Sequence, residues 1–392
     1  MSALGILLFV FALMLAIFLH EGGHFATAKL FGMKVERFFL GFGKTLWSFR
    51  RGETEYGVKA LPLGGFCKIA GMTPHEFDGN FLEQERGHKP EPVPEERQFR
   101  NKPAWQRAIV LAAGSITHFL VALLLLYVLL VFIGLQVGPP TTTIETTVAT
   151  TRNGQPAPAA AAGLRSGDKI VAIDGQPIST FDQLRSVLTD KAGRRVTVSY
   201  ERDGQRHSVS LVPARELDEA GKPHGFLGIS PSGTIKRQGP LEGVAGSATM
   251  FKDVVVTSFK GLGSLIPGLV DRINPPTPAV NGGGDGGGGG SGPIGLINIT
   301  RLAGQAVSAG QWVGFLVLLI EFNVFVGIFN LLPIPILDGG YLATVGWEAI
   351  TRRKVDLRKL APIAAVAVSL LFVFVIVVAW LDITNPIPNP FR

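Results

Sequence analysis

Cysteine is almost missing from this 392-residue chain: Cys67 is its single example. No intrachain disulfide can form, and no cysteine-based zinc cluster can be built. Charge is sparse too. Asp, Glu, Lys and Arg make up 17% of the residues against 46% hydrophobic ones, and the mean hydropathy is +0.32. That is apolar for a soluble protein and too polar for a chain lying wholly in lipid, so a membrane protein with a soluble part is expected. The net charge of +7 would suit nucleic acid. A basic excess is also what cytoplasmic loops of membrane proteins accumulate, and no nucleic-acid partner is expected.

Basic residues are absent ahead of the first apolar run, and HEGGH stands where a signal peptide would carry small residues for cleavage. The run is therefore read as a retained helix. Crossing a bilayer takes about 20 apolar residues, and four stretches satisfy this, roughly 3–27, 108–135, 312–329 and 360–381. Lys29, Lys34, Arg37, Lys44, Arg50, Arg51, Arg100, Lys102 and Arg107 follow the first; Arg352, Arg353, Lys354, Arg358 and Lys359 precede the last. The positive-inside rule makes both segments cytoplasmic, leaving the two termini and the region 136–311 outside the cell membrane.

Within that outer region, "AAGLRSGDKIVAIDGQPI" (161–178), "TFDQLRSVL" and "RRVTVSYERDGQRHSVSLV" read as short strands and tight turns around one helix. The pattern resembles a PDZ domain. In "GFLGI", Gly225, Phe226, Leu227, Gly228 and Ile229 resemble the loop with which such domains hold a chain-end carboxylate. The same residues equally suit a closing strand. The run "NGGGDGGGGGSG" (281–292) has no side chains to bury and reads as a linker.

HEGGH has the H-E-x-x-H form. Residues four apart on a helix stand about 40° apart around its axis, so His20 and His24 share a face and can hold one Zn²⁺. Glu21 is then placed as general base. Ionisable residues cost several kcal/mol inside a membrane and persist where they have work. A hydrolytic zinc needs a third protein ligand. Asp338 in "FNLLPIPILDGG" is the best candidate, because Pro333 and Pro335 break the third apolar helix and chain parity ends both motifs on the same side. Asp338 is expected to return on irregular backbone lining an enclosed cavity.

HEGGH, a PDZ-like insert and "NLLPIPILDGG", together with "GFGKTLW", "LPLGGFCKIAGM", "NKPAWQRAIVLAAG" and "GPIGLINI", resemble the site-2 protease family of intramembrane zinc proteases in its bacterial form. The resemblance implies one Zn²⁺ on His20, His24 and Asp338, catalysis by Glu21, and substrate orientation by Asn330. It also implies substrates that are single-pass membrane proteins already trimmed outside by another protease, often anti-sigma factors. "AGSITHF" departs from the family, which has a proline at Ser115 and an asparagine at His118.

A substrate helix hides its carbonyls and must be unwound before cleavage. The stretch 36–69 reads as a hairpin-like sheet partly in the membrane, offering an edge for β-augmentation. Gly41, Phe42, Gly43, Gly64 and Gly65 are its candidate substrate contacts; a packing element is the alternative. Gly22 and Gly23 weaken the helix yet permit close backbone approach. His75 and Glu76 read as solvated loop. Glu321 and His118, at similar depths on neighbouring helices, are expected to pair.

The expected architecture is a polytopic α-helical membrane protein with four transmembrane helices, a membrane-associated β-hairpin and an inserted extracytoplasmic α+β PDZ domain. Its segments are helix one at 1–31, the β element and loop at 32–104, helix two at 105–136 and the PDZ domain at 140–232. A helical segment and linker at 233–311 lead to helix three at 312–345, a basic loop at 346–359, helix four at 360–382 and a tail at 383–392. Two other functions fit parts of this pattern: a PDZ-bearing scaffold with an inert metal motif, and an ion transporter. A transporter needs polar residues through the whole bilayer, and here they gather at one depth.

Overall fold

A computed structural model describes residues 3–72, 93–137, 140–148, 151, 155–217, 223–273, 294–384 and 386–387. His75, Glu76 and the glycine-rich run 281–292 lie outside the described residues. In chain order the elements are α1 (Ala3–Leu30), β1 (Val35–Arg51), β2 (Thr54–Ile69) and α2 (Ala104–Val128), continued by a π-helical turn over Leu129–Ile133. Next come β3 (Leu135–Val137), β4 (Ile144–Thr147), α3 (Pro158–Ala161), β5 (Lys169–Ile173), β6 (Gln176–Pro177) and α4 (Phe181–Thr189). β7 (Val196–Arg202), β8 (Gln205–Leu211), β9 (Ala214–Leu217), β10 (Pro223–Phe226), β11 (Ile229–Pro231) and β12 (Thr234–Lys236) follow. The chain ends on α5 (Pro240–Gly263), α6 (Leu265–Ile273), α7 (Leu296–Ser308), α8 (Trp312–Asn330), α9 (Asp338–Thr351) and α10 (Leu357–Thr384).

Two compact units result. In the first, Ala3–Leu30, Ala104–Ile133, Trp312–Asn330 and Lys359–Thr384 are long and apolar enough to cross a membrane. The pair α5 and α6, bent by 57°, makes a fifth span if taken as one. α1 packs on α2, α7 and β2, while α2 also packs on α8 and α9. α1 stops where Gly32 takes φ +67°, with the Met33 amide donating back to the Ala28 carbonyl at 2.9 Å. That left-handed cap turns the chain directly into the hairpin. β1 and β2 pair antiparallel with repeated register shifts. At Gly41 and Gly43, φ is +85° and +83°, the bulge geometry that glycine permits.

Two expectations need correction. Asp338 does not sit on irregular backbone; it is the first residue of α9, after a tight turn over 331–337. The segment read as a basic loop from 346 is therefore helical as far as Thr351. The reason lies in Gly339 and Gly340: a Cβ on either would collide with the carbonyl of Leu331 or Ile334. The glycines let the new helix start hard against the turn, which the two prolines alone do not reveal. Glu321 and His118 do not pair either. His118 Nδ1 lies 2.9 Å from Asn323 Oδ1, and Glu321 is exposed. Residues two positions apart on a helix stand about 200° apart around its axis, so a helix showing Asn323 to α2 turns Glu321 away.

The second unit centres on Leu129–Gly243. A four-stranded sheet in the order β6-β5-β7-β8 and helix α4 enclose a core that includes Ile170, Ile173, Leu184, Val198 and Leu227. α4 begins with a reciprocal capping box between Thr180 and Gln183. Asp168, 1% exposed, takes two bonds from Arg202 at 2.7 and 2.8 Å and one from the Arg165 amide at 2.8 Å. Burial works to raise its pKa, but these bonds outweigh it and hold the carboxyl below the usual aspartate range. A depressed pKa stabilises the fold above the unfolded value of about 3.9, and the benefit is lost as pH falls below it. Asp168→Asn is expected to speed amide exchange in β5 and β7 roughly tenfold at pH 7. Comparing both proteins at matched pH checks this, and the difference should shrink below about pH 3.9.

Candidate metal centre

Small residues bring α1 and α2 together at HEGGH. A Cβ on Gly23 would stand 2.7 Å from the Ala113 carbonyl, and one on Gly114 would stand 2.5 Å from both His20 Cε1 and His24 Nε2. The two imidazoles therefore lie directly on the α2 backbone. Gly22 behaves differently, with open space around the position of its Cβ. Of the two glycines in the motif, Gly23 serves helix approach.

His24 is buried, and its Nδ1 donates to the Val110 carbonyl at 2.7 Å. That bond fixes the tautomer and turns the Nε2 lone pair inward. His24 Nε2 is 3.2 Å from His20 Nε2, and both are 3.3 Å from Asp338 Oδ2. Oδ2 is itself buried and lacks a hydrogen-bond donor. Two lone pairs and a carboxylate oxygen repel one another unless a metal cation or a proton lies among them. Four ligands about 2.0–2.1 Å from a tetrahedral metal are about 3.3–3.4 Å apart. The triangle thus has the edge length of a three-ligand zinc site, and the donor set fits that ion.

Glu21 lies outside the triangle. A Cβ on Gly65 would stand 2.9 Å from Glu21 Cγ and 3.1 Å from the Phe39 carbonyl, so β2 passes against this side chain. Gly65 is thereby brought to the centre. Gly41 and Gly43 form the bulge further along β1, Phe42 is 47% exposed, and Gly64, at φ +146°, carries the Phe42 ring against it. Asn330 ends α8, half-buried, ahead of the turn that delivers Asp338. In that turn Ile336 holds φ +85°, a strained conformation for a β-branched residue, two residues before Asp338.

In the second unit, Gly225 and Phe226 belong to β10 and Ile229 opens β11. Leu227 is buried in the core and its carbonyl accepts from the Ala159 amide at 2.8 Å. Gly228, at φ +81°, accepts from the Val148 amide at 2.9 Å. Leu227 and Gly228 thus join β10 to β11, with their carbonyls tied to Ala159 and Val148.

Residues 8–282 and 287–376 match Peptidase family M50. The chain belongs to that family. It is 33% identical to the zinc metalloprotease Rip1 of Mycobacterium tuberculosis, with 99% of each chain covered. It is 30% identical to the metalloprotease MmpA of Caulobacter vibrioides, covering 96% of this chain and 94% of that one. The regulator of sigma-W protease RasP of Bacillus subtilis is 28% identical, with 94% and 95% covered. Among solved structures, a PDZ domain of an SdrC-like protein from Listeria monocytogenes covers 25% of this chain and 93% of its own, at 20% identity and a TM-score of 0.19. The M50 assignment makes the chain a peptidase.

Sequence reasoning missed Gly114, Asn323 and the Val110 carbonyl. Asn323 was detectable as a polar residue within an apolar span. The other two act through backbone position, which has no side-chain signal.

Proposed function

We propose that the chain is a zinc-dependent intramembrane endopeptidase that cleaves single-pass membrane proteins already trimmed outside the cell membrane, anti-sigma factors among them. The convergence, at 3.2–3.3 Å, of His20 and His24 on the apolar helix α1 with Asp338 carries this reading. The names of Rip1 and RasP support both the metal and a regulatory substrate. One Zn²⁺ per chain is held by the three ligands. When bound, the ion supplies Lewis-acid polarisation of the water and the scissile carbonyl. Glu21 takes the proton of the attacking water and delivers it to the leaving amine. Asn330 orients the substrate carbonyl, and the hairpin of β1 and β2 receives the unwound substrate as an added strand. Gly65, without a side chain, lets that strand pass close to Glu21.

With four spans, the distribution of basic residues supports both termini and the inserted domain lying outside. Chelation by 1,10-phenanthroline is expected to stop cleavage of a trimmed single-pass reporter in proteoliposomes, and added zinc to restore it. Cleavage that continues in protein shown by elemental analysis to be metal-free would remove the zinc reading.

The domain between the second and third spans is PDZ-like and excludes substrates with large ectodomains. Its two ends adjoin: the Thr141 amide donates to the Ser232 carbonyl at 2.8 Å, and β3 pairs with β12 below them. Removing 142–231 and joining Thr141 to Ser232 should therefore leave the spans intact. The shortened chain is expected to cleave intact and trimmed substrates at comparable rates. Discrimination equal to wild type would refute gating by this domain.

A further inference from the structure

The two histidines of the centre are held unequally. His24 has its Val110 partner, whereas His20 Nδ1 is buried with no hydrogen-bond partner among the described residues. A metal-bound imidazole almost always donates its second N–H to an acceptor, which fixes ring orientation and ligand strength. An unmatched donor there needs explaining.

His118 stands beside it. Its ring centroid is 5.1 Å from that of His20, with the planes tilted by 45°. It is 3% exposed, on the turn of α2 that follows Gly114, against which His20 packs. The state of His118 follows from Asn323. Asn323 Nδ2 donates to the Leu319 carbonyl at 2.8 Å, so Oδ1 is the atom facing His118 Nδ1 at 2.9 Å. An acceptor at that distance requires the proton on Nδ1, which leaves Nε2 of His118 a lone-pair acceptor. Ser115 Oγ, three residues earlier on α2, is also buried without a hydrogen-bond partner among the described residues.

We propose that His118 is a positioning residue for the zinc ligand His20. Its Nε2 accepts from His20 Nδ1–H through one bridging water, and Asn323 supplies the tautomer that makes this possible. The chain Asn323 to His118 to His20 links α8 through α2 to α1. Ligand orientation thus depends on a third helix that contributes no ligand itself. This rests on the zinc reading above and adds a role for a residue that sets the metal's affinity without touching it.

The test uses full-length protein in detergent, with Zn²⁺ itself as the probe in competition with a chromophoric chelator. His118→Leu fills the space without an acceptor, and His118→Gln places a carbonyl oxygen near the position of Nε2. The leucine variant is expected to bind zinc about 10- to 100-fold more weakly, and the glutamine variant to stay within about threefold of wild type. Zinc affinity of His118→Leu within about twofold of wild type would overturn the proposal, as would equal losses in both variants, since packing alone then explains the residue. If the leucine variant does not fold, Asn323→Leu gives the same reading, because it removes the tautomer lock while leaving His118 in place. Wild type that binds no zinc would fail the underlying reading. Wild type that binds it while His118→Leu binds equally well fails this inference alone.

Discussion

Replacing Glu21 with glutamine is expected to lower cleavage of a trimmed single-pass substrate by about 10³-fold or more, within the range for loss of a general acid–base group. Zinc content should stay at the wild-type level. The two effects separate because of where Glu21 lies. The atoms that converge are the Nε2 atoms of His20 and His24 and Oδ2 of Asp338, and Glu21 is beside them, under Gly65. Glutamine keeps the volume of the side chain, so its packing under Gly65 survives. What is lost is a group able to take a proton. Cleavage in co-expressing cells, read with elemental analysis of the purified protein, checks both halves. Wild-type cleavage by Glu21→Gln would end the assignment of Glu21 as base. Loss of metal together with activity would instead make Glu21 part of the ligand set.

How much of this was legible in the sequence depends on which atoms do the work. The histidine pair was readable because helical periodicity alone puts residues four apart on one face. Asp338 was readable because prolines interrupt an apolar run just before it, and the hairpin because glycines punctuate strand-forming residues. The helix that starts at Asp338 was not readable. Its start depends on Gly339 and Gly340 packing against carbonyls of the preceding turn, and a glycine in a sequence does not say what lies opposite it. The pairing of Glu321 with His118 failed for a related reason. Depth can be counted from rise per residue, but facing also needs the rotation of α8, which packing on α2 and α7 decides. Asn323 sits on the packed face and Glu321 does not.

Gly114→Ala is expected to weaken zinc binding about 100-fold or more and to reduce cleavage at least in proportion, though it adds a single methyl group far from the motif in sequence. That methyl carbon would be 2.5 Å from His20 Cε1, 2.5 Å from His24 Nε2 and 2.7 Å from His20 Nδ1. No rotamer change relieves the overlap, because the two rings meet the same atom and His24 is tied to the Val110 carbonyl one turn earlier on α2. Helix α2 can back away only by giving up its close packing on α1. A Cβ on Gly23 would already touch Thr117 Oγ1 and the Ala113 carbonyl, so the helices are in backbone contact just beside the site. The rings must therefore move, and a displacement of roughly 1 Å in a reacting geometry costs about 10²-fold. Gly22→Ala is the matched comparison. It lies inside HEGGH itself, yet its Cβ would meet nothing within 4 Å. It should keep zinc and gain helix stability of about 1 kcal/mol, the propensity difference between glycine and alanine. Zinc titration and thermal melting of the two purified variants in detergent decide the matter. If Gly114→Ala holds zinc as well as Gly22→Ala does, α2 yields to the methyl group, and close backbone contact is not what sets the geometry of the metal centre.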